Sequence, residues 1–525
     1  VKARHIFDLI QGNRSLQIEI VTVAAIVLLA LVLRTYNLTT LPPGFHGDEA
    51  VIGLEAQRIL DTGSIGPYSP FAAGQPTGPI YLVAVGIRVI DNAVLAVRIV
   101  PALFGTLTVL ALYVVMRRNF SMAAALSAAS ILAVMNWHLH FSRIGYPVVV
   151  WPLLAVLIAG ALAEAVRSSD WRWWAVAGGL TGTGIYVYNA HPLLAAIVGL
   201  FIAGFLMVNR KGSLRLDFTG AAVFGLAKLV VMIPMIRFAT AENTYYWDHF
   251  QRDSVTDSAD WQTLDGPVDQ ARFLLSGYRG IWNWLCCEPG LDPVDGTGLT
   301  IIAPPAMLLL AAFGMIVALS FYRKPLVWLS VLIVVILPIA PVISIEGEAR
   351  RTLALAPFLA MFCALGTVGS VELARREGRR LTYLTATAAV LVTGVVMVQN
   401  LNLYFREFPD PEAQVHILGQ PVADAARFLN QVDDEYYVYF YSDVWSIDYA
   451  TREYLAPDVR GEDRSREFGD FGYAMDPTRG RPLFVFLGTY LDEVETVRGM
   501  YPGAEITPEN RDTEPTFRVF EPELP

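Results

Sequence analysis

The sequence predicts a polytopic α-helical membrane protein that ends in a small extracytoplasmic α/β domain. Three observations carry this. Only 17% of the 525 residues are charged and 54% are hydrophobic, against roughly a quarter charged in soluble chains. The missing charge leaves long apolar runs such as Val21–Val32, Leu153–Ala163, Leu193–Val208 and Leu326–Ile339. With their flanks these reach the roughly 20 residues needed to cross about 30 Å of hydrocarbon. Lys and Arg then recur at alternate ends of the runs, as expected when basic loops are retained on the cytoplasmic side.

Reading the basic ends as cytoplasmic gives a weave of about eleven spans. The N-terminus, with Lys2, Arg4 and Arg14, is expected inside, and Gln17–Tyr36 leads out. No small-residue cleavage site follows this run, so a retained anchor is expected rather than a signal peptide. The apolar segment Gly78–Ile90 is too short to cross and is placed on the outer interface. Arg98–Met116 returns inward to Arg117 and Arg118, Ser121–Trp137 leads out, and Pro147–Val166 returns to Arg167. Trp173–Tyr188, Pro192–Val208 and Phe218–Arg237 follow, and then a long polar loop, Ala239–Gly298. Leu299–Phe321 comes in to Arg323 and Lys324, Pro325–Ile343 goes out, and Thr352–Leu373 comes in to Arg375, Arg376, Arg379 and Arg380. Leu381–Gln399 delivers the C-terminus outside. The expected domains are therefore a membrane domain over 1–399, its first outer loop at 38–97, and an extracytoplasmic domain over 400–525.

The last part is soluble in composition. Val422–Gln431, Tyr449–Leu455 and Leu491–Tyr501 read as helices, and Tyr436–Tyr441, Pro482–Leu487 and Thr516–Phe520 as strands. Such alternation predicts an α/β domain. The net charge of −10 does not argue for or against nucleic acid, because the charges are segregated by side of the membrane. Three cysteines cannot build a disulfide framework.

Candidate chemistry sits at the outer ends. In the first loop, Leu41-Pro-Pro-Gly-Phe-His46-Gly-Asp48-Glu49 precedes a short helix with Ile52, Ala56 and Ile59 on one face and Glu55 and Arg58 off it. Asp48 can serve as the N-cap of that helix, with Glu49 favouring its dipole. Alternatively Asp48 and Glu49 are a carboxylate pair, one of which takes a proton from an acceptor hydroxyl. A second cluster holds His138, His140 and Arg143. Histidines two apart face away from each other on a helix, which is poor metal spacing, whereas Arg143 suits a phosphate. A third cluster is Glu346-Gly-Glu348-Ala-Arg350-Arg351, whose arginines run against the positive-inside bias. Lys228 falls near mid-span, where a partner is expected.

These motifs, in this order, resemble bacterial members of the superfamily of protein O-mannosyltransferases and lipid A aminoarabinose transferases, which have the GT-C fold. The resemblance rests on Phe45-His-Gly-Asp48-Glu49-Ala50, with Ala56 and Gly63 beyond it, and on Arg98-Ile-Val-Pro101-Ala-Leu-Phe-Gly105. It extends to His140-Phe-Ser142-Arg143-Ile-Gly145, Tyr186-Val-Tyr188, Leu291-Asp292-Pro293 and Arg350-Arg351-Thr-Leu-Ala-Leu-Ala-Pro357. It implies an inverting transferase that uses a polyprenyl-phosphate sugar, with Asp48 as catalytic base. Two departures stand out. Trp137–Pro147 carries no acidic residue where relatives have one, and His191 stands where a basic arginine belongs.

The chemistry agrees with this reading. No nucleotide sugar reaches the outer face, and the chain has no P-loop or dinucleotide-binding fingerprint. A donor there arrives on a lipid whose phosphate is already a good leaving group, so the reaction needs a base and cations for the departing phosphate. The expected base is Asp48 beside Glu49, and the expected cations are Arg143, Arg350 and Arg351. His46, His138, His140, Tyr188 and His191 are further pocket candidates. The expected partners are the polyprenyl-phosphate donor, membrane lipid and a protein, lipid or glycan acceptor, in the cell membrane. No cofactor is assigned, and a divalent metal stays open. A transporter or lipid flippase is the alternative from another class, although its interrupted helices and midplane ionisable residues are not the dominant pattern. An outer-face glycan polymerase or ligase would differ by taking a lipid-diphosphate donor.

Overall fold

The computed structural model describes residues 2–71, 74–208, 214–241, 245–287, 304–345, 349–408, 418–469, 472–506 and 515–523. The acidic part of the third cluster (Glu346, Glu348) and Leu291-Asp292-Pro293 lie outside them. The chain divides into two compact units. One comprises Val1–Tyr36, Ile65–Pro79 and Ile99–Tyr404, and the other Asn37–Ser64, Ile80–Arg98 and Phe405–Pro525. The C-terminal domain thus forms a unit with most of the segment 37–98, rather than starting as a separate body at residue 400.

The first unit is helical. Among the described residues, eight helices are long and apolar enough to cross a membrane, and the protein is a multi-pass membrane protein. α1 (Lys2–Thr35) comes first; α2 (Gly47–Thr62) and most of α3 (Gly78–Val89) belong to the second unit, and α4 (Ala93–Asn119) comes next. α5 (Met122–Val134), α6 (Asn136–Phe141), α7 (Val150–Ser168), α8 (Trp171–Thr183), α9 (His191–Val208) and α10 (Leu214–Ala239) follow. Tyr246–Arg252, Pro267–Cys286, Pro305–Leu319, Pro325–Ile336, Ala356–Glu377 and Arg379–Asn402 are among the helices that come after them.

Four expected spans are shorter helices than anticipated, and one of them, Pro325–Ile336 with 12 residues, is followed by the short helix Ile339–Val342. α5 and α8 have 13 residues each, and Pro305–Leu319 has 15. Thirteen residues rise only about 20 Å, so the apolar run after α5 continues through a break into α6. Inside a membrane the carbonyls freed by such a break need donors. They have them: Arg34 donates to Leu132 O and Ala133 O, and the Asn400 amide donates to Val134 O at 3.0 Å. The interruption is therefore a capped helix end, not an open polar pathway. Lys228, half-buried in α10, has no acidic partner among the described residues, contrary to expectation.

The second unit contains a five-stranded sheet. β1 (Tyr68–Ser69) and β2 (Gln75–Pro76) form a minor hairpin in the first unit. β3 (Tyr436–Tyr441), β4 (Arg460–Asp463), β5 (Arg481–Leu487), β6 (Gly503–Ile506) and β7 (Phe517–Pro522) are ordered β4-β3-β5-β7-β6. β3 pairs parallel with β4 and β5, while β7 is antiparallel to β5 and β6. Tyr439, Tyr441, Phe484, Phe486 and Phe520 stack on one face against Val494 and Val497 of helix Glu493–Met500. β4 and β6 were not expected from the sequence.

Candidate active site

The start of α2 differs from the N-cap reading of Asp48. His46, not Asp48, is the N-cap. Its backbone is extended, and its Nδ1 accepts the Asp48 N–H at 3.1 Å. Glu49, three residues on, reaches back to the His46 N–H at 3.0 Å and closes a capping box. Glu49 also receives Arg98, Nε on Oε1 at 2.8 Å and Nη2 on Oε2 at 2.9 Å. Arg98 spends its other donors on Leu38 O, Pro42 O and Gly44 O and lies over the Phe45 ring. Both partners are buried. One fork-shaped cation thus fixes the whole turn before α2.

Asp48 is the contrast. Its side chain is 32% exposed, where that of Glu49 is 2%. Its carboxylate lies 3.8 Å from His46 Nδ1, but that nitrogen is already an acceptor and offers it no proton. Among the described residues nothing donates a hydrogen bond to Asp48's carboxylate. Its backbone is fixed while its lone pairs stay available. Tyr449 packs closely here, since a Cβ on Gly47 would meet its hydroxyl at 2.5 Å. Burial, and then the Asp48 charge, raise the Tyr449 hydroxyl above its ordinary pKa. Helix Ala450–Leu455 holds the same loop: Thr451 donates to Phe45 O at 2.9 Å, Tyr454 stacks on Phe45, and the Tyr454 hydroxyl donates to Ala93 O. Glu55, expected off the buried face, is buried and paired with Arg58 at 2.8 Å. Arg98 and Tyr449 were not named as site residues from the sequence. Arg98 carried the same signal as Arg143, an arginine at an outer span end.

In the membrane unit, Arg143 is fully buried and acts on a helix end. Its guanidinium donates to Leu33 O at 2.5 Å and Tyr36 O at 2.7 Å and faces the Tyr404 ring. These are among the last carbonyls of α1, which have no intrahelical donor and carry the negative end of the helix dipole. Arg34 does the same for α5 and donates to His138 Nδ1 at 2.9 Å. His138 and His140 are both buried on α6, and no group of three His, Cys, Asp or Glu residues suited to a metal occurs among the described residues. Buried His191 accepts from Trp151 Nε1 and donates to Thr181 O, and the Tyr188 ring lies 5.0 Å from that of Trp151. His191 thus joins α7, α8 and α9, with no free edge for a ligand. Arg143→Lys is expected to lower stability by about 1–3 kcal/mol, because one ammonium cannot serve two carbonyls aligned for a fork. Thermal unfolding in detergent measures this. A rise in the donor KM at unchanged Tm would instead assign Arg143 to the donor.

Arg351 is placed differently. It donates to Ser344 Oγ at 2.7 Å and Asp253 Oδ2 at 3.1 Å. It lines a cavity of about 470 Å³ with Asn189, His249, Asp253, Trp261 and Ser344. The Asn189 amide donates to Gly74 O and to His249 Nε2. Arg350 lies over the Tyr146 ring at 5.4 Å. The sequence reading missed Asn189, just before α9, and His249 and Asp253, which belong to the helix Tyr246–Arg252 and its C-cap.

Residues 74–238 match the family model described as dolichyl-phosphate-mannose-protein mannosyltransferase. In fold the chain is similar to ArnT from Cupriavidus metallidurans in the apo state, at 14% identity and TM-score 0.51 over 97% of this chain and 98% of that one. It is also similar to the archaeal oligosaccharyltransferase AglB from Archaeoglobus fulgidus, solved with an inhibitory peptide and a dolichol-phosphate, at 15% identity and TM-score 0.53. These likenesses show the fold that the chain shares with both structures. The chain is covered over 84% of its length in the AglB comparison and spans 64% of the AglB chain. No curated protein sequence matches it.

Proposed function

We propose that the protein transfers a sugar from a polyprenyl-phosphate carrier to an acceptor hydroxyl or amine on the outer face of the membrane, with inversion and with Asp48 as base. The observation that carries this reading is the division of labour between adjacent carboxylates: Glu49 is consumed by Arg98 and the capping box, while Asp48 keeps its lone pairs. In the reaction Asp48 takes the acceptor proton as the acceptor atom bonds to the sugar C1. The C1–O bond breaks on the opposite face, and the electron pair leaves with polyprenyl phosphate. The donor class is supported by AglB, whose solved complex holds a dolichol-phosphate. In the membrane unit Arg351, on its cavity beside His249 and Asn189, is the cation best suited to the phosphate, and Arg350 is the second. Arg143 supports the fold that carries them.

The test is transfer by the purified full chain from polyprenyl-monophosphate sugar, with nucleotide sugar and polyprenyl-diphosphate sugar as controls. Turnover is expected with the monophosphate alone. Arg351→Lys is expected to cost about 1.5 kcal/mol of donor binding, roughly tenfold, because a point charge replaces a fork. Activity with a nucleotide sugar only, or an unchanged Arg351→Lys enzyme, overturns the donor assignment.

A further inference from the structure

We propose that the basic-loop side of the membrane unit carries a binding site for one anionic phospholipid. The site is a groove of about 530 Å³ between α5, helix Pro305–Leu319 and helix Ala356–Glu377, lined by Phe120, Ala124, Phe321, Val368, Gly369 and Arg376 among others. Ala124, Ser320 and Gly369 are small residues of its lining, and at Gly369, where a Cβ would come within 2.8 Å of Val317 Cγ2, helix Ala356–Glu377 packs closely on helix Pro305–Leu319. Its length fits one acyl chain. From Leu365 to Arg376 the helix rises about 16 Å at roughly 1.5 Å per residue, which matches half of a hydrocarbon core of about 30 Å.

The mouth is cationic. Lys324 Nζ lies 5.6 Å from the centre of the Phe120 ring, and Arg376 lines the groove itself. Glu372, also in the lining, is 3.5 Å from Arg375. Among the described residues neither Lys324 nor Arg376 has an acidic partner. An apolar slot one leaflet deep with two uncompensated cations at its polar end has the pattern of a phospholipid: chain in the slot, phosphate on the cations. Basic pockets between spans on the cytoplasmic side recognise anionic headgroups in this way. The inference does not depend on the donor assignment, because every residue in it lies at the basic end of the spans.

Native mass spectrometry of the full chain in detergent, titrated with phosphatidylglycerol or phosphatidylcholine of identical acyl chains, tests it. The wild type is expected to retain phosphatidylglycerol more strongly. Lys324→Gln combined with Arg376→Gln is expected to weaken that retention about thirty-fold and leave phosphatidylcholine unchanged. Ser320→Phe, which fills the slot without touching charge at an exposed position, is expected to weaken both lipids. Arg379→Gln with Arg380→Gln, outside the groove, is expected to change neither. Equal retention of the two lipids by the wild type, wild-type lipid binding by Ser320→Phe, or an equal loss in the Arg379/Arg380 variant overturns the site.

Discussion

Asp48→Asn is expected to lower sugar transfer by roughly 10²–10⁴-fold, the usual contribution of a positioned general base, while leaving the fold intact. The swap preserves size and polarity and removes only the proton acceptor. His46 and Glu49 make the cap of α2, so Asp48 contributes to stability only through its charge in the first turn, worth about 0.3–1 kcal/mol. Activity and stability are therefore expected to separate: near-wild-type Tm in detergent, near-zero turnover. Glu49→Gln, discussed below, separates them the other way. Turnover of Asp48→Asn close to wild type would remove Asp48 from the chemistry and leave it as a helix-dipole residue.

The long spans were legible because lipid demands about 20 apolar residues of any helix that crosses it. The short ones were overextended for the same reason: the run from Ser121 to Trp137 stays apolar through the break after Val134, and only donors distant in sequence, Arg34 and Asn400, reveal that the helix ends. In the C-terminal domain β3, β5 and β7 announce themselves by aromatic and β-branched residues. β4 (Arg460–Asp463) and β6 (Gly503–Ile506) are edge strands, and edges carry the charge and glycine that disguise a strand. At the site, Asp48 was read as a cap because aspartate is a favoured cap and histidine is not. The partner of Glu49 was invisible because it lies 49 residues away. Arginines at outer span ends were read as phosphate ligands. One of them, Arg143, holds buried backbone carbonyls, as does Arg98, which the sequence reading did not name, and such a role leaves no trace in local sequence.

Glu49→Gln is expected to destabilise the loop unit by about 3–5 kcal/mol, because it leaves the Arg98 guanidinium buried without a counter-charge. Glutamine can still accept the His46 N–H, so the capping box survives in form and the loss reports the ion pair. Arg98→Met, which leaves a buried carboxylate and frees Leu38 O, Pro42 O and Gly44 O at once, is expected to cost at least as much. The double variant Glu49→Gln with Arg98→Met removes both charges, and part of the loss is expected to return, since an uncharged buried pair carries no unpaired-ion penalty. Limited proteolysis across residues 37–64 together with thermal unfolding reads the effect. Transfer by Glu49→Gln, measured at a temperature where the loop stays folded, is expected to keep the wild-type pH profile, because Glu49 exchanges no proton in the reaction. A shifted profile in a folded Glu49→Gln enzyme would make Glu49 the proton acceptor and Asp48 its neighbour. Full stability in Glu49→Gln would mean that Arg98 finds its compensation in the carbonyls alone.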